Sequence, residues 1–474
     1  PMPTGAWINQ IRASNHNPAE VLLVANDYRR FNDAPMVYRT RDFGKSWEQI
    51  VDKNDVIGYA LCVLQDPIEP NLYFLGTGDG LYVSFDGAEN WNKWTAGFPT
   101  TNVMDLAIQP REHDLVIGTF GRAAYVLDDI QPLRAIAAHP AYLDDPVKLF
   151  QAPDAYQVYR QQPTGSRFGA DGMFHGENRS FDGRITYYLQ VPESLSVPDP
   201  SNTNKKKKSK KEQIPEPSVK KKVNTDSITF QIMNGSSVIR SLKLKTPEKS
   251  GLHKLSWRLD EKGIPYISRK NSRTSNAEAG GIDVLPGDYK IKVHYGEHTD
   301  SSMIKVLFDP RIDISQQELI EKYDALKALE KSEMKMYVAV NRLKEGLKLA
   351  NKYKTDFEAL DSILYKSEIK LCENIQDSIN VLLDHFFGEE DKRQGITMRS
   401  DKTLMSLYRQ AFRYTANAGH TPASTEYALI SKFESHLVQV LENVNEFYKQ
   451  DWSDFRTTIE QLSLNPFKDY KKIE

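Results

Sequence analysis

Cysteine is scarce in this sequence: Cys62 and Cys372 are the two that occur among 474 residues. A secreted domain held together by disulfides carries many more cysteines for its size, so the sequence excludes that class of protein. Both cysteines lie within apolar stretches. We therefore expect two buried thiols, and the redox compartment stays open.

Long apolar runs and an excess of charge are also absent. No run approaches the ~18 residues of a transmembrane helix, so we expect no membrane span. The first residues, "PMPTGAWINQ", show neither an initiator methionine nor a signal sequence, and we expect a trimmed chain. Lys and Arg number 62 against 64 Asp and Glu, a balance that favours neither nucleic acid nor an anionic membrane as partner. At roughly 100–200 residues per domain, the length predicts about three domains.

Motifs for metal, phosphate or nucleophilic chemistry are missing as well. The histidines are scattered, and "HYGEH" at 294–298 is expected at a strand end and turn. No phosphate-binding glycine loop and no nucleophile elbow occur. The sequence therefore predicts no metal, no cofactor and no catalytic residue. Asp79 is expected to serve a turn, and Asp128 and Asp129 align with a turn position of the repeat described next. Arg122 could reach a central funnel, but we expect it to pair with an acid or a backbone group.

Residues 1–134 carry short apolar runs separated by turn residues, such as "VLLVAN", "ALCVLQDP" and "DLVIGT". Runs of this length with Gly, Asn, Asp and Pro between them indicate strands of antiparallel sheets. Similar segments recur after about 40–45 residues, the length of one four-stranded propeller blade. Because a propeller closes with about four to eight blades and this region holds about three, we expect the end of a longer β-propeller.

Two of the repeats share the pattern Ser/Thr-x-Asp-x-Gly-x-x-Trp. The first copy has Thr40, Asp42, Gly44 and Trp47, and the second has Ser84, Asp86 and Trp91, with Ala88 at the glycine position. Aspartate at a turn accepts backbone N–H groups, glycine supplies a positive φ, and tryptophan covers the hairpin. A carboxylate held in this way stays ionised and is poorly suited to proton transfer. We therefore expect structural turns, and the alanine argues against a left-handed backbone at its position.

Residues 183–310 contain six further apolar runs without that repeat. Several alternate in polarity, which predicts an immunoglobulin-like β-sandwich. Between the first two runs, residues 196–225 are rich in Lys, Pro and Ser and hold no aromatic residue. Such a segment buries too little surface to fold, so we expect a disordered, solvated insertion rather than a nucleic-acid-binding segment.

Residues 311–474 show helical periodicity and predict an antiparallel bundle. Ser315 and Glu318 have the capping-box spacing at the start of a long helix, and Thr355 is expected to repeat that motif and start the next one. The apolar stripe of the first helix is interrupted at Glu333. Further helices are expected at about 401–415, 423–449 and 452–463, the second of these with Pro422 just inside its start.

Residues 135–182 are expected to connect the propeller to the sandwich. The part from 161 to 183 is long for a loop in a compact protein, and such loops are often functional. Side chains that could form a binding loop lie among its glycines: Arg167, Phe168, Phe174, His175 and Glu177. The alternative is a simple connection along the edge of the propeller.

The segment "GTGDGLYVSFDGAENW" and the residues after it resemble the last blades of bacterial sortilin-like Asp-box, or BNR-repeat, propeller proteins. These proteins are common in Bacteroidetes and often named glycosyl hydrolases. "GENRSFDGRITYYL" is similar to the start of the module that follows the propeller in that group, and "TPASTEYALISKFESHLVQVLENVNEF" to its usual helical ending. "LPGDYKIKV" and the strands before it are similar to the immunoglobulin-like module of flagellar hook-capping proteins. The resemblance implies an exported protein, in the periplasm, at the outer membrane or outside the cell.

Two functions stay open from the sequence. The first is binding or scaffolding of a protein or peptide partner, with membership of a larger envelope complex as one form of it. The alternative is a sialidase-like or related glycoside hydrolase acting on a glycan, which needs two carboxylates about 5 Å or about 6.5–9.5 Å apart. Because every motif acid in the blades present is assigned to a turn, such a hydrolase would carry its catalytic groups mostly in absent blades.

Overall fold

The computed structural model describes residues 2–158, 179–192, 226–269, 278–389, 402–417 and 419–462. Strands dominate the chain up to Phe308, and long helices follow from Gln316 onward. The predicted order, a β region followed by a C-terminal helical region, is confirmed. The insertion predicted at 196–225 lies outside the described residues.

The first eleven strands form three antiparallel sheets. They are β1 (Trp7–Ala13), β2 (Val21–Asp27), β3 (Asn32–Thr40), β4 (Glu48–Val51), β5 (Ala60–Gln65), β6 (Tyr73–Thr77), β7 (Gly80–Ser84), β8 (Asn92–Lys93), β9 (Val103–Gln109), β10 (Asp114–Thr119) and β11 (Ala124–Leu127). The first sheet has the order β1-β2-β3-β4, the second β5-β6-β7-β8 and the third β11-β10-β9. Strands adjacent in sequence are thus adjacent in space, which short hairpin connections allow.

The three sheets pack against one another through apolar side chains. Val24 and Val37 of the first sheet share a core with Leu75 of the second. Phe74 of the second sheet shares another core with Leu115 of the third. All five side chains are fully buried. Because strand side chains alternate between faces, the second sheet contributes one face to each core.

A short helix, α1 (Gln131–Ala138), follows the third sheet. The Nε of its Arg134 donates to both carboxylate oxygens of Asp66, at 3.0 and 2.9 Å. Asp66 follows β5, is fully buried, and also accepts the N–H of Ile68 at 2.8 Å. Because a buried charge is tolerated only when it is paired and hydrogen-bonded, this ion pair fixes α1 against the second sheet.

Ten more strands form a second β region. They are β12 (Val147–Leu149), β13 (Ala155–Gln157), β14 (Gly183–Leu189), β15 (Ser227–Asn234), β16 (Ser237–Lys245), β17 (Gly251–Trp257), β18 (Asp260–Lys262), β19 (Gly280–Asp283), β20 (Gly287–Tyr295) and β21 (His298–Phe308). One sheet has the order β12-β14-β17, a second has β13-β21-β20-β15-β16, and β18 pairs with β19. The two larger sheets share a core that contains Tyr187, Phe230 and Trp257.

Two of these strands come from the segment 135–182, which the sequence analysis treats as a connection. β12 pairs antiparallel with β14, and β13 pairs parallel with β21. Strands of three residues carry too little periodicity to be recognised in a sequence. The second β region therefore begins at Val147 rather than at residue 183.

The described part of the C-terminal region contains five helices that share one apolar core. They are α2 (Gln316–Asp361), α3 (Lys366–Phe387), α4 (Leu404–Asn417), α5 (Ser424–Lys449) and α6 (Asp451–Glu460). The predicted capping box is present: Ser315 Oγ accepts the N–H of Glu318 at 3.3 Å, and Ser315 N–H donates to the Glu318 carboxylate at 2.8 Å. In the described part of the chain, no helix has the length and apolar character that crossing a membrane requires.

Two details of the helical prediction are wrong. Thr355 lies inside α2, where its Oγ1 donates to the carbonyl of Asn351 at 3.0 Å, and the next helix begins at Lys366. Pro422 lies outside α5, one residue before its N-cap, Ala423. A threonine inside a helix can bond to the carbonyl four residues before it, so spacing alone does not distinguish a cap from an interior position.

The interruption of the apolar stripe at Glu333 has a tertiary cause. Tyr408 of α4 donates its hydroxyl to Glu333 Oε2 at 2.5 Å. Burial raises the pKa of Glu333; the Tyr408 hydrogen bond opposes this rise and the negative charge of Glu330 adds to it. A polar position in the stripe is thus matched by a polar partner on another helix.

Both cysteines are free and buried, so the prediction of two buried thiols is confirmed. Cys62 lies in the core shared by the second and third sheets, and burial raises its pKa to about 12. Cys372 lies in the helical core, and burial raises its pKa to about 11. Thiols with these pKa values are protonated at neutral pH and unreactive.

Candidate functional site

The first Asp-box motif lies in the turn between β3 and β4. Thr40 Oγ1 donates to Asp42 Oδ1 at 2.8 Å and accepts the N–H of Gly44 at 2.9 Å. Asp42 also accepts the backbone N–H of Ser46 at 2.8 Å and the Ser46 hydroxyl at 2.6 Å. Trp47 donates its indole N–H to the carbonyl of Gly44 at 3.2 Å. Every one of these bonds joins residues of the same turn.

The second motif repeats this network between β7 and β8. Ser84 Oγ donates to Asp86 Oδ1 at 2.8 Å and accepts the N–H of Ala88 at 3.0 Å. Asp86 accepts the backbone N–H of Asn90 at 2.9 Å and its side-chain amide at 2.7 Å. Trp91 packs against the core shared by the first two sheets. In both motifs the aspartate is occupied by donors of its own turn.

Ala88 has a left-handed backbone, although an alanine at the glycine position of the motif argues against one. Its φ is +75°, beside +84° for Gly44 at the equivalent position. The preceding residue is also left-handed in each turn, with φ of +60° at Phe43 and +77° at Gly87. A left-handed L-residue costs roughly 1–2 kcal/mol, so the surrounding hydrogen bonds must hold Ala88 in place. The expectation drawn from the alanine is therefore wrong.

Hydrogen bonding sets the protonation state of both aspartates. The hydroxyl and N–H of Ser46, followed by the hydroxyl of Thr40, lower the pKa of Asp42 to about 2. Burial alone would raise the pKa of Asp86, but hydrogen bonds, led by those of Asn90, bring it below its ordinary value. Both carboxylates are ionised at neutral pH, where a group with such a low pKa is a poor proton shuttle.

Other acids named from the sequence take part in local structure. The N–H of Asp79 donates to Thr77 Oγ1 at 3.0 Å in the turn between β6 and β7, and its carboxylate pairs with Lys93. Asp129 accepts the N–H of Gln131 at 3.2 Å at the start of α1. These contacts occupy the carboxylate of Asp79 within the second sheet and that of Asp129 at the start of α1.

The remaining candidates are spread over the surface of the sheets. Arg122 is exposed in the turn between β10 and β11, and the carbonyl of Asp128 accepts Lys254 Nζ at 3.2 Å. His294 lies near the end of β20 and His298 begins β21, so both stand at one hairpin. Among the described residues, no group of three or more His, Cys, Asp or Glu side chains could hold a metal ion.

Of the predicted binding loop at 161–183, the structure describes residues 179–183. Outside the described residues lie Arg167, Phe168, Phe174, His175 and Glu177. Arg179 forms ion pairs with Glu112 at 2.8 Å and with Asp114 at 3.1 Å, at the third sheet. Val158 and Phe181 both line a cavity between the second β region and the helices. The cavity thus lies beside Val158, which precedes the predicted loop, and Phe181, which lies near the end of that loop.

The cavity has a volume of about 490 Å³ and lies where the second β region meets α2 and α4. Apolar side chains from three elements line it: Phe308 of β21, Leu319 and Leu326 of α2, and Phe412 of α4. Leu319 and Leu326 are two helical turns apart and thus share one face of α2. Small-molecule and cofactor pockets usually have volumes of about 300–1,000 Å³, with apolar walls and a few polar groups.

Charged groups from both regions line the same cavity. Asp283 ends β19, Lys322 lies near the start of α2, and Arg258 follows β17. Burial raises the pKa of Asp283; the negative charge of Asp260 adds to this, and Lys322 and Arg258 oppose it. Burial lowers the pKa of Lys322, against the charge of Asp283. Burial thus disfavours the charged form of each group, and the opposite charge of the other favours it.

Buried contacts hold the polar part of the cavity in place. Tyr323, which also lines it, donates its hydroxyl to Glu261 Oε1, and Lys327 Nζ donates to Glu261 Oε2 at 3.1 Å. These two bonds join α2 to β18. The fully buried Trp257 donates its indole N–H to the carbonyl of Asp260 at 2.9 Å. The strand pair that carries Asp283 is therefore anchored to the core on one side and to α2 on the other.

Sequence reasoning missed this cavity, although one local signal was present. A Cβ at Gly280 would lie 2.6 Å from Asp260 Oδ2, and one at Gly281 would lie 2.8 Å from the carbonyl oxygen of Glu261. Glycines inside a strand often mark close approach of another backbone, and here they admit β18 beside β19. The other cavity residues come from elements far apart in sequence, and no local pattern joins them.

No protein-family model matches the chain, and no curated protein matches it. Similar solved structures include an ancestral GH74 enzyme at 21% identity and a TM-score of 0.21, covering 26% of this chain and 15% of that chain. A GH74 enzyme of Niastella koreensis has 14% identity, a TM-score of 0.23, and coverage of 63% and 46%. The GH74 xyloglucanase from Xanthomonas campestris has 14% identity, a TM-score of 0.23, and coverage of 62% and 38%. The chain spans less than half the length of each, and its function is inferred from its own site.

Proposed function

We propose that the first three sheets are the last blades of an Asp-box β-propeller. The sheets follow chain order, stack through shared cores, and carry the two Asp-box turns between the third and fourth strands of successive sheets. The second β region is then an immunoglobulin-like sandwich, and the helices form an antiparallel bundle. On this proposal the chain belongs to an exported, sortilin-like protein.

We further propose that the chain binds or scaffolds a peptide or protein partner. The observation that carries this proposal is the cavity that holds Asp283 and Lys322 beside an apolar wall. An apolar side chain of the partner would contact Leu319, Leu326 and Phe412. The carboxyl of Asp283 and the amine of Lys322 would exchange hydrogen bonds with the partner's backbone amides, which offer one donor and one acceptor per residue.

Filling the cavity tests this proposal. Ala416 of α4 lines the cavity, and Ala328 of α2 is exposed and does not line it. In selection from a phage-displayed library of random peptides, the parent and Ala328→Trp should enrich the same sequences, and Ala416→Trp should lose them. Circular dichroism melting of both variants checks that each is folded.

Two results would reject the proposal. If folded Ala416→Trp enriches the parent's peptides with the parent's affinity, the cavity is not the binding site. If the parent enriches no peptide above background, binding of a linear peptide is rejected.

A glycoside hydrolase is the second candidate, and Asp260 and Asp283 are the observation that favours it. The two acids lie opposite each other in the β18–β19 register, and burial raises the pKa of each. A raised pKa suits a general acid. However, Asp260 is 4% exposed and its Oδ1 lies 3.6 Å from Arg240 Nε. Burial beside an arginine leaves Asp260 little access to a sugar, which favours binding over hydrolysis.

A panel of chromogenic aryl glycosides and sialosides separates the two candidates. We expect no turnover by the parent. Turnover that disappears in a folded Asp283→Asn variant would establish the hydrolase and reject the scaffold.

A further inference from the structure

A second groove runs along the surface of α4 and α5. Its volume is about 760 Å³, and it is lined by Arg409 and Arg413 of α4, Lys432 of α5, and the aromatic side chains of Tyr408 and Phe412. The three cationic residues are exposed. The groove therefore combines positive charge at its rim with aromatic surface.

These cations have no acidic partner among the described residues. Arg409 Nη2 donates to the hydroxyl of Tyr266 at 3.1 Å, and the Arg413 guanidinium lies 5.9 Å from the ring centre of Tyr414. Lys432 forms no ion pair within the described part of the chain. Helices with this many charges usually pair them along one face, so three cations without acids leave a positive groove that an anion can neutralise.

The groove lies next to the cavity of the proposed function. Phe412 lines both, so one side chain separates the positive groove from the apolar wall at Leu319 and Leu326. Arg413 also lines a third, smaller depression of about 310 Å³ with His420. An apolar pocket thus opens directly beside a row of cations.

The spacing of the arginines fits an extended chain. Arg409 and Arg413 are four residues apart, so their Cα atoms are separated by about 6 Å along the helix axis at 1.5 Å per residue. Alternate side chains of an extended peptide lie about 6.6 Å apart on the same side of the chain. Acidic residues at every second position would therefore reach the two guanidinium groups, and an Arg–carboxylate pair is a strong, often two-pronged hydrogen bond.

We propose that the α4–α5 groove binds an extended acidic peptide segment whose neighbouring apolar side chain enters the cavity beyond Phe412. This inference rests on the proposed peptide-binding function and adds the charge of the partner. A nucleic-acid strand could also meet the cations, but its backbone carries a charge at every step and offers no aliphatic side chain for the pocket of Leu319 and Leu326.

The affinities of two synthetic peptides measure whether the groove prefers acidic residues. The first carries a leucine next to glutamates at alternate positions and a fluorophore for anisotropy; the second has glutamine in place of every glutamate. We expect the parent to bind the glutamate peptide about tenfold or more tightly than the glutamine peptide, because two charge-assisted pairs are lost in the second. Added salt should reduce the difference.

Two double variants that each remove two positive charges show whether the preference depends on the groove. Arg409→Gln/Arg413→Gln should lose the preference for glutamate. Lys331→Gln/Lys335→Gln removes two exposed cations of α2 that have the same four-residue spacing and do not line the groove, and it should keep the preference. All four side chains are exposed, so both double variants should melt like the parent.

The outcomes separate the inference from the proposed function. Equal binding of the two peptides, or equal loss in both double variants, overturns the acidic partner and leaves peptide binding standing. Failure of both peptides, with no enrichment from the random library, overturns both. A single-stranded oligonucleotide that binds more tightly than the glutamate peptide, and loses affinity only in the arginine double variant, would replace the acidic peptide with nucleic acid.

Discussion

At the glycine position of the motif, the two Asp-box turns differ by one Cβ atom, because the first has Gly44 and the second has Ala88. Exchanging these residues measures what that atom costs. Gly44 is exposed and has φ +84°, and an added Cβ there would lie no closer than 4.0 Å to another side chain, at Trp47 Cζ2. Gly44→Ala therefore meets no clash and incurs the left-handed cost of roughly 1–2 kcal/mol. The reduced freedom of the unfolded chain offsets about 0.4–1 kcal/mol. We expect a net loss of about 1 kcal/mol in the free energy of unfolding.

The reverse substitution should give a different result. Ala88→Gly relieves the left-handed strain of roughly 1–2 kcal/mol. It also frees the unfolded chain, which costs about 0.4–1 kcal/mol, and it removes a buried methyl group that contributes about 0.8 kcal/mol. The terms nearly cancel, so Ala88→Gly should lie within about 0.5 kcal/mol of the parent. We therefore predict that Gly44→Ala lowers the free energy of unfolding, whereas Ala88→Gly leaves it nearly unchanged.

Urea unfolding followed by circular dichroism measures both variants, with Gly235→Ala as the calibration. Gly235 has φ +58° in the turn between β15 and β16, and a Cβ there meets nothing within 4 Å. That variant reports the left-handed cost without an Asp box. If Gly235→Ala loses about 1 kcal/mol while Gly44→Ala loses nothing, the left-handed geometry assigned to the first Asp box is refuted.

Further predictions concern two carboxylates. Asp86→Ala removes an acceptor for Ser84 and Asn90 and should cost about 1–3 kcal/mol in chemical unfolding without changing peptide binding; a variant that unfolds like the parent but fails to bind would contradict the structural role. The folded-state pKa of Asp86 is lowered, so its carboxylate stabilises the folded protein fully above the unfolded pKa, near 3.8. This stabilisation is lost as the pH falls below that value, and Asp86→Asn should not show the loss. The pKa of Glu333 is raised, so the parent should lose stability relative to Glu333→Gln as the pH rises above 4.5 in thermal melts; parallel pH profiles would show that the pKa is not raised.

The sequence determined the features that depend on neighbouring residues. The alternation of apolar and turn residues located most of the longer strands, although not the three-residue β12 and β13. Ser315 with Glu318 located the start of α2, because capping joins residues three positions apart. The aspartates of both Asp boxes were placed in turns for the same reason. Even there, the local rule failed at Ala88, where hydrogen bonds of the whole turn hold a backbone that an isolated alanine disfavours.

Only the tertiary structure decided where a partner could bind. Asp283, Lys322 and Phe412 come from a strand and two helices that are distant in sequence, and no local pattern relates them. The polar residue Glu333 in the apolar stripe of α2 is likewise explained only by the position of Tyr408, whose hydroxyl donates to it. A cavity is the space left by the packing of several elements, so its shape and charge depend on contacts that a sequence pattern does not contain.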